Sequence, residues 1–209
     1  MVQDHEKLKF PVGVSARHIH LTQATVDILF GEGHVIEPES GTGGWQFKST
    51  DKIAIEGPRS TFDKVAVMGP CREFDQFELS FTEARALGIP AVLRMSGDIE
   101  GSPGVKLIGP VGEFVMEKGA IIAKRHIHLG QALAEKYQVK DGDSILLRIE
   151  GEERSVVFDD TIVRTDEPLE EMSAIIHIDT DEGNAAGVTK ESYAYIIGKS
   201  SDYKELFSV

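Results

Sequence analysis

The feature that most constrains this chain is a segment of eight residues that occurs twice. Val14-Ser-Ala-Arg-His-Ile-His-Leu21 returns as Ile122-Ala-Lys-Arg-His-Ile-His-Leu129. An apolar, β-prone run precedes each copy, and a helix-like segment follows it, at 22–30 and at 130–137. Solenoid repeats have periods of up to about 50 residues, so copies this far apart indicate a duplicated unit. The sequence therefore predicts two related halves with pseudo-two-fold architecture.

Short strands dominate the rest of the pattern. Apolar runs bounded by turn dipeptides such as Gly57-Pro58 and Asp141-Gly142 predict strands at 52–56, 64–68, 74–79, 105–108, 144–148 and 155–158. Helices are predicted at 22–30, where Thr22 can cap, at 82–87, where Thr82 can cap, and at 181–186. The predicted fold class is mainly β (α+β), with the turn spacing of barrels or sandwiches and short helical caps.

Composition and charge exclude several classes of protein. The 209 residues are 41% hydrophobic and 27% charged, as in ordinary folded domains. A formal net charge of -13 argues against the basic surface that nucleic-acid binding requires. The single cysteine, Cys71, excludes an intrachain disulfide and fits a reducing compartment. Because no apolar stretch approaches the length of a membrane span and residues 1–10 are polar, we expect a cytoplasmic protein with neither a membrane nor nucleic acid as its partner.

Each repeated segment contains a His-x-His pair at the end of a β-like run. On a strand, residues i and i+2 point to the same face, so His18 with His20, and His126 with His128, each present two imidazoles side by side. Neutral imidazole is a common zinc ligand, and this spacing is typical of a metal site. The alternative is a duplicated structural motif without metal, which would have to account for four imidazoles at turns.

A catalytic zinc site needs a third protein ligand beside such a pair. Glu78 and His177 are the candidates, because each is a polar residue within an apolar strand and needs a partner there. The alternative for Glu78 is an exposed position on an alternating strand. The alternative for His177 is a hydrogen-bonded histidine in the core.

Three arginines also stand in positions of interest. Arg17 and Arg125 directly precede the histidine pairs and either bind anions or support their strands. Arg72 follows a Gly-Pro turn six residues before Glu78, so an extended segment would place both side chains on one face. Cys71, next to Arg72, permits an acyl-cysteine intermediate, which direct attack by a second substrate would make unnecessary.

Several motifs, taken in order along the chain, resemble those of one family. Besides the two Arg-His-Ile-His-Leu segments they are Gly69-Pro to Glu78-Leu-Ser, Thr82-Glu-Ala-Arg-Ala-Leu-Gly88, Ser96-Gly-Asp-Ile-Glu-Gly-Ser-Pro-Gly104 and His177-Ile-Asp-Thr-Asp-Glu-Gly-Asn-Ala-Ala-Gly187. The set is similar to that of phosphate propanoyltransferases, the phosphotransacylases of the propanediol-utilisation type. The resemblance runs from about residue 10 to residue 198.

The resemblance implies two small β-barrels with short helical caps. One barrel would contain residues 10–21 with 125–209, so that the first strand joins the C-terminal half, and the other would contain residues 22–124. It also implies two zinc ions per chain in a cleft between the barrels. By the family pattern Glu78, His126 and His128 would hold the zinc nearest the acyl-CoA sulfur, whereas His18, His20 and His177 would hold the other.

The implied activity is that of a phosphate acyltransferase. Arg72 matches the family's phosphate-binding arginine, and phosphate would attack the thioester of propanoyl- or acetyl-CoA directly, with zinc assistance, to give acyl phosphate and CoA. The family context is propanediol degradation or acetate metabolism, and family members are commonly homodimers. With about ten polar residues before the first strand, a free cytoplasmic enzyme is expected rather than one packaged in a bacterial microcompartment.

Two other functions remain open at this point. One is a zinc-dependent thioester or ester hydrolase, in which a metal-bound water replaces phosphate as the nucleophile. The other is a non-catalytic β-barrel that binds a metal or a metabolite. The choice between acetyl and propanoyl also stays open, because one methylene changes binding by only about 1–3 kcal/mol.

Overall fold

The computed structural model describes residues 8–40, 46–165 and 169–203. The chain divides into two compact units. Residues 16–123 form the middle unit, and residues 1–15 together with 124–209 form the terminal unit. The first strand, β1 (Phe10–Ser15), belongs to the terminal unit.

The middle unit is built on one curled sheet. Its strands are β2 (His18–His20), β3 (Phe47–Glu56), β4 (Thr61–Gly69), β5 (Gln76–Glu78), β6 (Leu93–Arg94), β7 (Val105–Ile108), β8 (Glu113–Met116) and β9 (Ala120–Ala123). They are arranged in the order β6-β9-β5-β2-β4-β3-β7-β8. Its two helices are α1 (Gln23–Phe30) and α2 (Phe81–Leu87).

The terminal unit is a closed six-stranded barrel. To β1 it adds β10 (His126–Leu129), β11 (Ser144–Glu150), β12 (Ser155–Arg164), β13 (Ala174–Asp179) and β14 (Tyr193–Lys199). The order around the barrel is β1-β13-β10-β12-β11-β14. The helices of this unit are α3 (Gln131–Lys136), α4 (Thr180–Ala186) and a 3-10 helix, Ser200–Tyr203. None of the helices in the described ranges is long and apolar enough to cross a membrane.

Both units pair their strands in the same way, which confirms the predicted duplication and the mainly β fold. In the middle unit β2 runs parallel to β4 and antiparallel to β5. In the terminal unit β10 runs parallel to β12 and antiparallel to β13. The antiparallel hairpin β3–β4 likewise corresponds to the hairpin β11–β12. On its other side, β3 pairs antiparallel with β7, and β11 pairs antiparallel with β14.

The first repeated segment is shared between the units. The strand β1 pairs in parallel with β13 of the C-terminal half. The strand β2, however, hydrogen-bonds to β4 and β5 of the middle sheet, although residues 16–21 were expected with the other barrel. The chain therefore passes from one unit to the other between Ser15 and His18.

The helices predicted at 82–87 and 181–186 each begin one residue earlier than expected. Ser80, not Thr82, caps α2, and its side chain accepts a hydrogen bond from the backbone N–H of Glu83. Asp179 caps α4 in the same way through Glu182. Both ends are capping boxes, in which the acidic side chain also accepts from the backbone N–H of the cap residue. Thr22 caps α1, as predicted.

Each unit has its own hydrophobic core. Along β13 and the second half of β4 every second residue is buried, so that one face of the strand packs into the core. Between the paired histidines, Ile19 and Ile127 are fully buried in these cores, so the histidines point to the other face. Leu107 in the middle unit and Ile149 in the terminal unit are fully buried as well.

We expect Leu107→Ala and Ile149→Ala each to lower the free energy of unfolding by about 2–5 kcal/mol, because each substitution leaves a cavity among packed side chains. Urea denaturation would measure the change. Val111→Ala and Val157→Ala are the controls in the same units, since these side chains are 68% and 46% exposed, and about 0.5 kcal/mol or less is expected for them. Equal losses at core and control positions would contradict the assignment of the cores.

Candidate metal centres

The structure brings the six predicted ligand residues into two groups of three. In the middle unit, His18, His20 and Glu78 offer ligand atoms that all lie within 4.8 Å of one another. In the terminal unit the same is true of a second group, which consists of His126, His128 and His177. We call these groups the middle cluster and the terminal cluster.

Strand register explains how each cluster forms. In the antiparallel pair β2–β5, His18 stands opposite Glu78. In the corresponding pair β10–β13, His126 stands opposite His177. Directly opposed residues of an antiparallel pair share a face of the sheet, so each third ligand joins the face that its histidine pair already occupies. Glu78 and His177 thus occupy equivalent positions in the two halves.

The grouping differs from the one that the family resemblance implied. That grouping placed Glu78 with the second histidine pair and His177 with the first. Here each histidine pair takes its third ligand from the neighbouring strand of its own sheet. The contacts agree, because His18 Nε2 lies 3.5 Å from Glu78 Oε2, and the ring of His126 stacks on that of His177 with centroids 5.0 Å apart.

A backbone hydrogen bond orients the first histidine of each cluster. The Nδ1 atom of His18 lies 2.9 Å from the carbonyl oxygen of Ala16, and Nδ1 of His126 lies 2.8 Å from that of Lys124. A carbonyl only accepts, so Nδ1 donates, and in the neutral form of the imidazole the lone pair is then on Nε2. This is the arrangement by which an outer hydrogen bond typically fixes a metal-ligating imidazole.

His20 is the clearest sign that the middle cluster suits a cation. The residue is 1% exposed, and its Nδ1 atom has no hydrogen-bond partner among the described residues. Burial, and then the charges of Arg72 and His18, lower the pKa of His20 to about 3, so the imidazole is neutral at pH 7. Leaving a buried polar atom unsatisfied is costly, and a metal ion is one partner that would satisfy it.

Glu78 is held by a polar network that the sequence analysis missed. Its Oε1 atom accepts hydrogen bonds from Gln76 Nε2 at 2.7 Å and from Ser96 Oγ at 2.8 Å. Gln76 is fully buried, and its own Oε1 accepts from the backbone N–H of Gly97 at 2.8 Å. These donors occupy Oε1, whereas Oε2 faces His18. The sequence offered a sign of this role, because Gln76 precedes Glu78 by two residues on the same strand face.

The segment that carries Arg72 differs from the extended segment that was predicted. The segment before Glu78 is not extended throughout, since β5 begins only at Gln76. Instead Asp75 anchors the preceding loop by accepting from Thr22 N and Thr25 Oγ1, each at 2.7 Å, and Arg72 N donates to Leu21 O at 2.8 Å. The charge of Arg72 still acts on the cluster, because it contributes to the lowered pKa of His20.

Cys71 is poorly suited to act as a nucleophile. Burial, followed by the nearby carboxylates of Asp27 and Asp75, raises the pKa of the Cys71 thiol. The thiolate is the nucleophilic form, so a raised pKa leaves less of it at pH 7. Its sulfur lies 3.5 Å from Gln23 Oε1, to which it can donate.

The fold and these side chains define a class of protein. It is a duplicated β protein with a cluster of three candidate metal ligands in each half. The family model for phosphate propanoyltransferase matches residues 11–189. A phosphate propanoyltransferase of Thermotoga maritima is 43% identical over 188 residues, which are 89% of this chain and 88% of that protein. The phosphate propanoyltransferase of Salmonella arizonae is 44% identical over 85% of this chain and 83% of that protein. That of Levilactobacillus brevis is 39% identical over 90% of this chain and 89% of that protein.

The chain therefore belongs to the phosphate propanoyltransferase family, and it is an acyltransferase.

Gln76→Leu is expected to weaken zinc binding at the middle cluster by about 10–100-fold, the usual cost of losing an outer-shell partner of a ligand. The substitution removes one donor to Glu78 Oε1 and frees the carboxylate to turn. Competition with a chromophoric chelator would measure the affinity. Gln131→Leu is the matched control. Gln131 is exposed on α3, and its side chain donates a hydrogen bond to Glu135 Oε1 at 3.2 Å. An unchanged affinity in Gln76→Leu would contradict the positioning of Glu78 by this network.

Proposed function

We propose that this chain is a phosphotransacylase that transfers a propanoyl or acetyl group between coenzyme A and inorganic phosphate, with one zinc ion in each cluster. The observation that carries the proposal is the presence of two three-ligand clusters in a chain that belongs to the phosphate propanoyltransferase family. The names of its relatives point to propanoyl transfer. Acetyl is retained because it is one methylene shorter and fits wherever propanoyl fits.

The donor sets suit zinc. Two imidazoles with a carboxylate and three imidazoles are both ligand sets of catalytic zinc, which keeps a fourth position for a substrate or water. The oriented Nδ1 atoms of His18 and His126 and the orphaned Nδ1 of His20 support this assignment. A zinc ion held in either cluster would supply Lewis-acid polarisation of a carbonyl or phosphoryl oxygen.

The protein's own residues bind and orient the anionic substrate. Arg72 binds phosphate, because a guanidinium presents two parallel N–H donors to a tetrahedral oxyanion. A phosphate oxygen then attacks the thioester carbonyl carbon, so that a C–O bond forms and the C–S bond breaks. The phosphate proton passes to the CoA sulfur, which leaves as the thiol. No acyl-enzyme is required, in keeping with the raised pKa of Cys71.

We also propose a cytoplasmic location, a homodimer and a role in propanediol or acetate metabolism.

Loss of acyl-CoA thioester is expected only when phosphate, or arsenate in its place, is present. Chelation should abolish the activity, and readdition of zinc should restore it, with metal content determined at each stage. Propanoyl-CoA and acetyl-CoA would be compared by kcat/KM. Thioester loss without phosphate would favour a zinc-dependent hydrolase, and no loss from a folded, zinc-loaded protein would favour a binding protein without catalysis.

Arg72→Lys should lower kcat/KM for phosphate by about 10²–10³-fold, a loss typical of removing one oriented donor from an oxyanion. Lysine keeps the charge but lacks the planar fork. Zinc content should stay at the wild-type value, because Arg72 is not a ligand. Arg85→Lys, exposed on α2, is the control and should leave phosphate kinetics unchanged. Wild-type phosphate kinetics in Arg72→Lys would remove Arg72 from the phosphate site.

A further inference from the structure

The arginine that opens each repeated motif makes the same ion pair in both halves. Arg17 Nη1 lies 2.7 Å from Glu83 Oε1, and Arg125 Nη1 lies 2.5 Å from Glu182 Oε1. The arginine side chains are 38% and 27% exposed, and the glutamates are 13% and 17% exposed. Of the two roles left open by the sequence, anion binding and support of the strand, these contacts favour support.

The glutamate in each pair is already committed to the cap of a helix. Glu83 Oε2 accepts from the backbone N–H of Ser80 at 2.9 Å, and Glu182 Oε2 accepts from that of Asp179 at 3.1 Å. One oxygen therefore fixes the helix start and the other holds the arginine. The cap residue, Ser80 or Asp179, in turn follows the third ligand of the cluster by two residues in both units.

The spacing ties each ion pair to its cluster. Each arginine directly precedes the first histidine of its pair, and the residue before the arginine supplies the carbonyl that orients that histidine's Nδ1. Each glutamate lies five residues after the third ligand, Glu78 or His177. The ion pair thus connects two parts of the site. One is the peptide whose carbonyl orients the first histidine, and the other is the helix that begins shortly after the third ligand.

A phenylalanine supports each guanidinium. The Arg17 guanidinium carbon lies 4.5 Å from the ring centroid of Phe62 on β4, and that of Arg125 lies 5.0 Å from Phe158 on β12. In both strands the phenylalanine stands four residues before the residue that pairs with the first histidine, Ala66 or Ile162.

In both strands a residue in the left-handed backbone conformation lies between the phenylalanine and the residue that pairs with the first histidine. Lys64 has φ +57° and Asp160 has φ +53°, two residues after the phenylalanine in each case. Residues with side chains adopt this conformation rarely, and it recurs where surrounding structure imposes it. In the terminal unit the bend also places the carbonyl of Asp159 2.9 Å from Arg125 Nε, which donates to it.

From these matched contacts we infer that Arg17 and Arg125 are positioning residues for the metal ligands. Each holds the histidine pair of its own cluster at a fixed separation from the third ligand. The inference rests on the proposed zinc sites. It assigns to each arginine one cluster and not the other, since each ion pair lies within a single unit.

The test compares Arg17→Met and Arg125→Met, which keep an unbranched apolar stem while removing the guanidinium. Zinc affinities would be measured by chelator competition in two backgrounds. His126→Ala leaves the middle cluster intact, and His18→Ala leaves the terminal cluster intact. Arg17→Met should lower the zinc affinity about 10–100-fold in the His126→Ala background alone. Arg125→Met should do so in the His18→Ala background alone.

A role in positioning must be separated from one in stability. Lys106→Met and Arg148→Met break ion pairs with Glu113 and Glu150 elsewhere in the same two units and should leave both zinc affinities unchanged. Glu83→Gln should weaken the middle site as Arg17→Met does. The double variant should be no weaker than the stronger single one, because both remove the same contact. The absorption spectrum of cobalt in the intact middle cluster should change in Arg17→Met and be restored toward wild type in Arg17→Lys.

The outcomes separate this inference from the proposed function. If the wild-type protein binds no zinc at either cluster, the proposed zinc sites fail. If it binds two zinc ions and the arginine variants bind them with unchanged affinity and unchanged cobalt spectra, the positioning role is overturned. A loss of apoprotein stability with zinc affinity unchanged in the folded variant would likewise overturn it.

Discussion

The candidate sites depend on the register between each His-x-His strand and its antiparallel neighbour. Because side chains alternate along a strand, a slip of one residue would turn Glu78 or His177 away from its histidine pair. Ile19 and Ile127 oppose such a slip, since each is fully buried between its two histidines and would have to leave the core. The ligand geometry is therefore set by hydrophobic burial on the opposite face of the same strand.

The two clusters share this backbone arrangement but differ in charge. In the middle cluster Glu78 brings a carboxylate, and the protein surrounds one of its oxygens with donors from Gln76 and Ser96. In the terminal cluster His177 brings a neutral ligand at the equivalent position. A divalent cation keeps more of its positive charge among three imidazoles than beside a carboxylate. A cation held in the middle cluster would thus differ in Lewis acidity from one held in the terminal cluster, through one change of residue in a duplicated frame.

Local patterns in the sequence predicted much of this structure. The His-x-His spacing, the helix capped by Thr22 and the repeated halves follow from neighbouring residues. The grouping of the ligands did not, because it depends on which distant strands pair, and both Glu78 and His177 lie far along the chain from the histidines they join. The partner of Arg17, Glu83, was missed for the same reason, whereas Gln76 lies only two residues from its partner Glu78 on the same strand.

The two halves differ in some features around the clusters and share others. The third ligand differs between them, and so does the helix cap, Ser80 or Asp179. The arginine, the capping glutamate and a left-handed residue with a side chain recur in both, although that conformation costs about 1–2 kcal/mol for an L-residue. The left-handed residue therefore stands at the same place in β4 and β12, two residues before the residue that pairs with the first histidine. The ligand chemistry can then change at one position without rebuilding the frame around it.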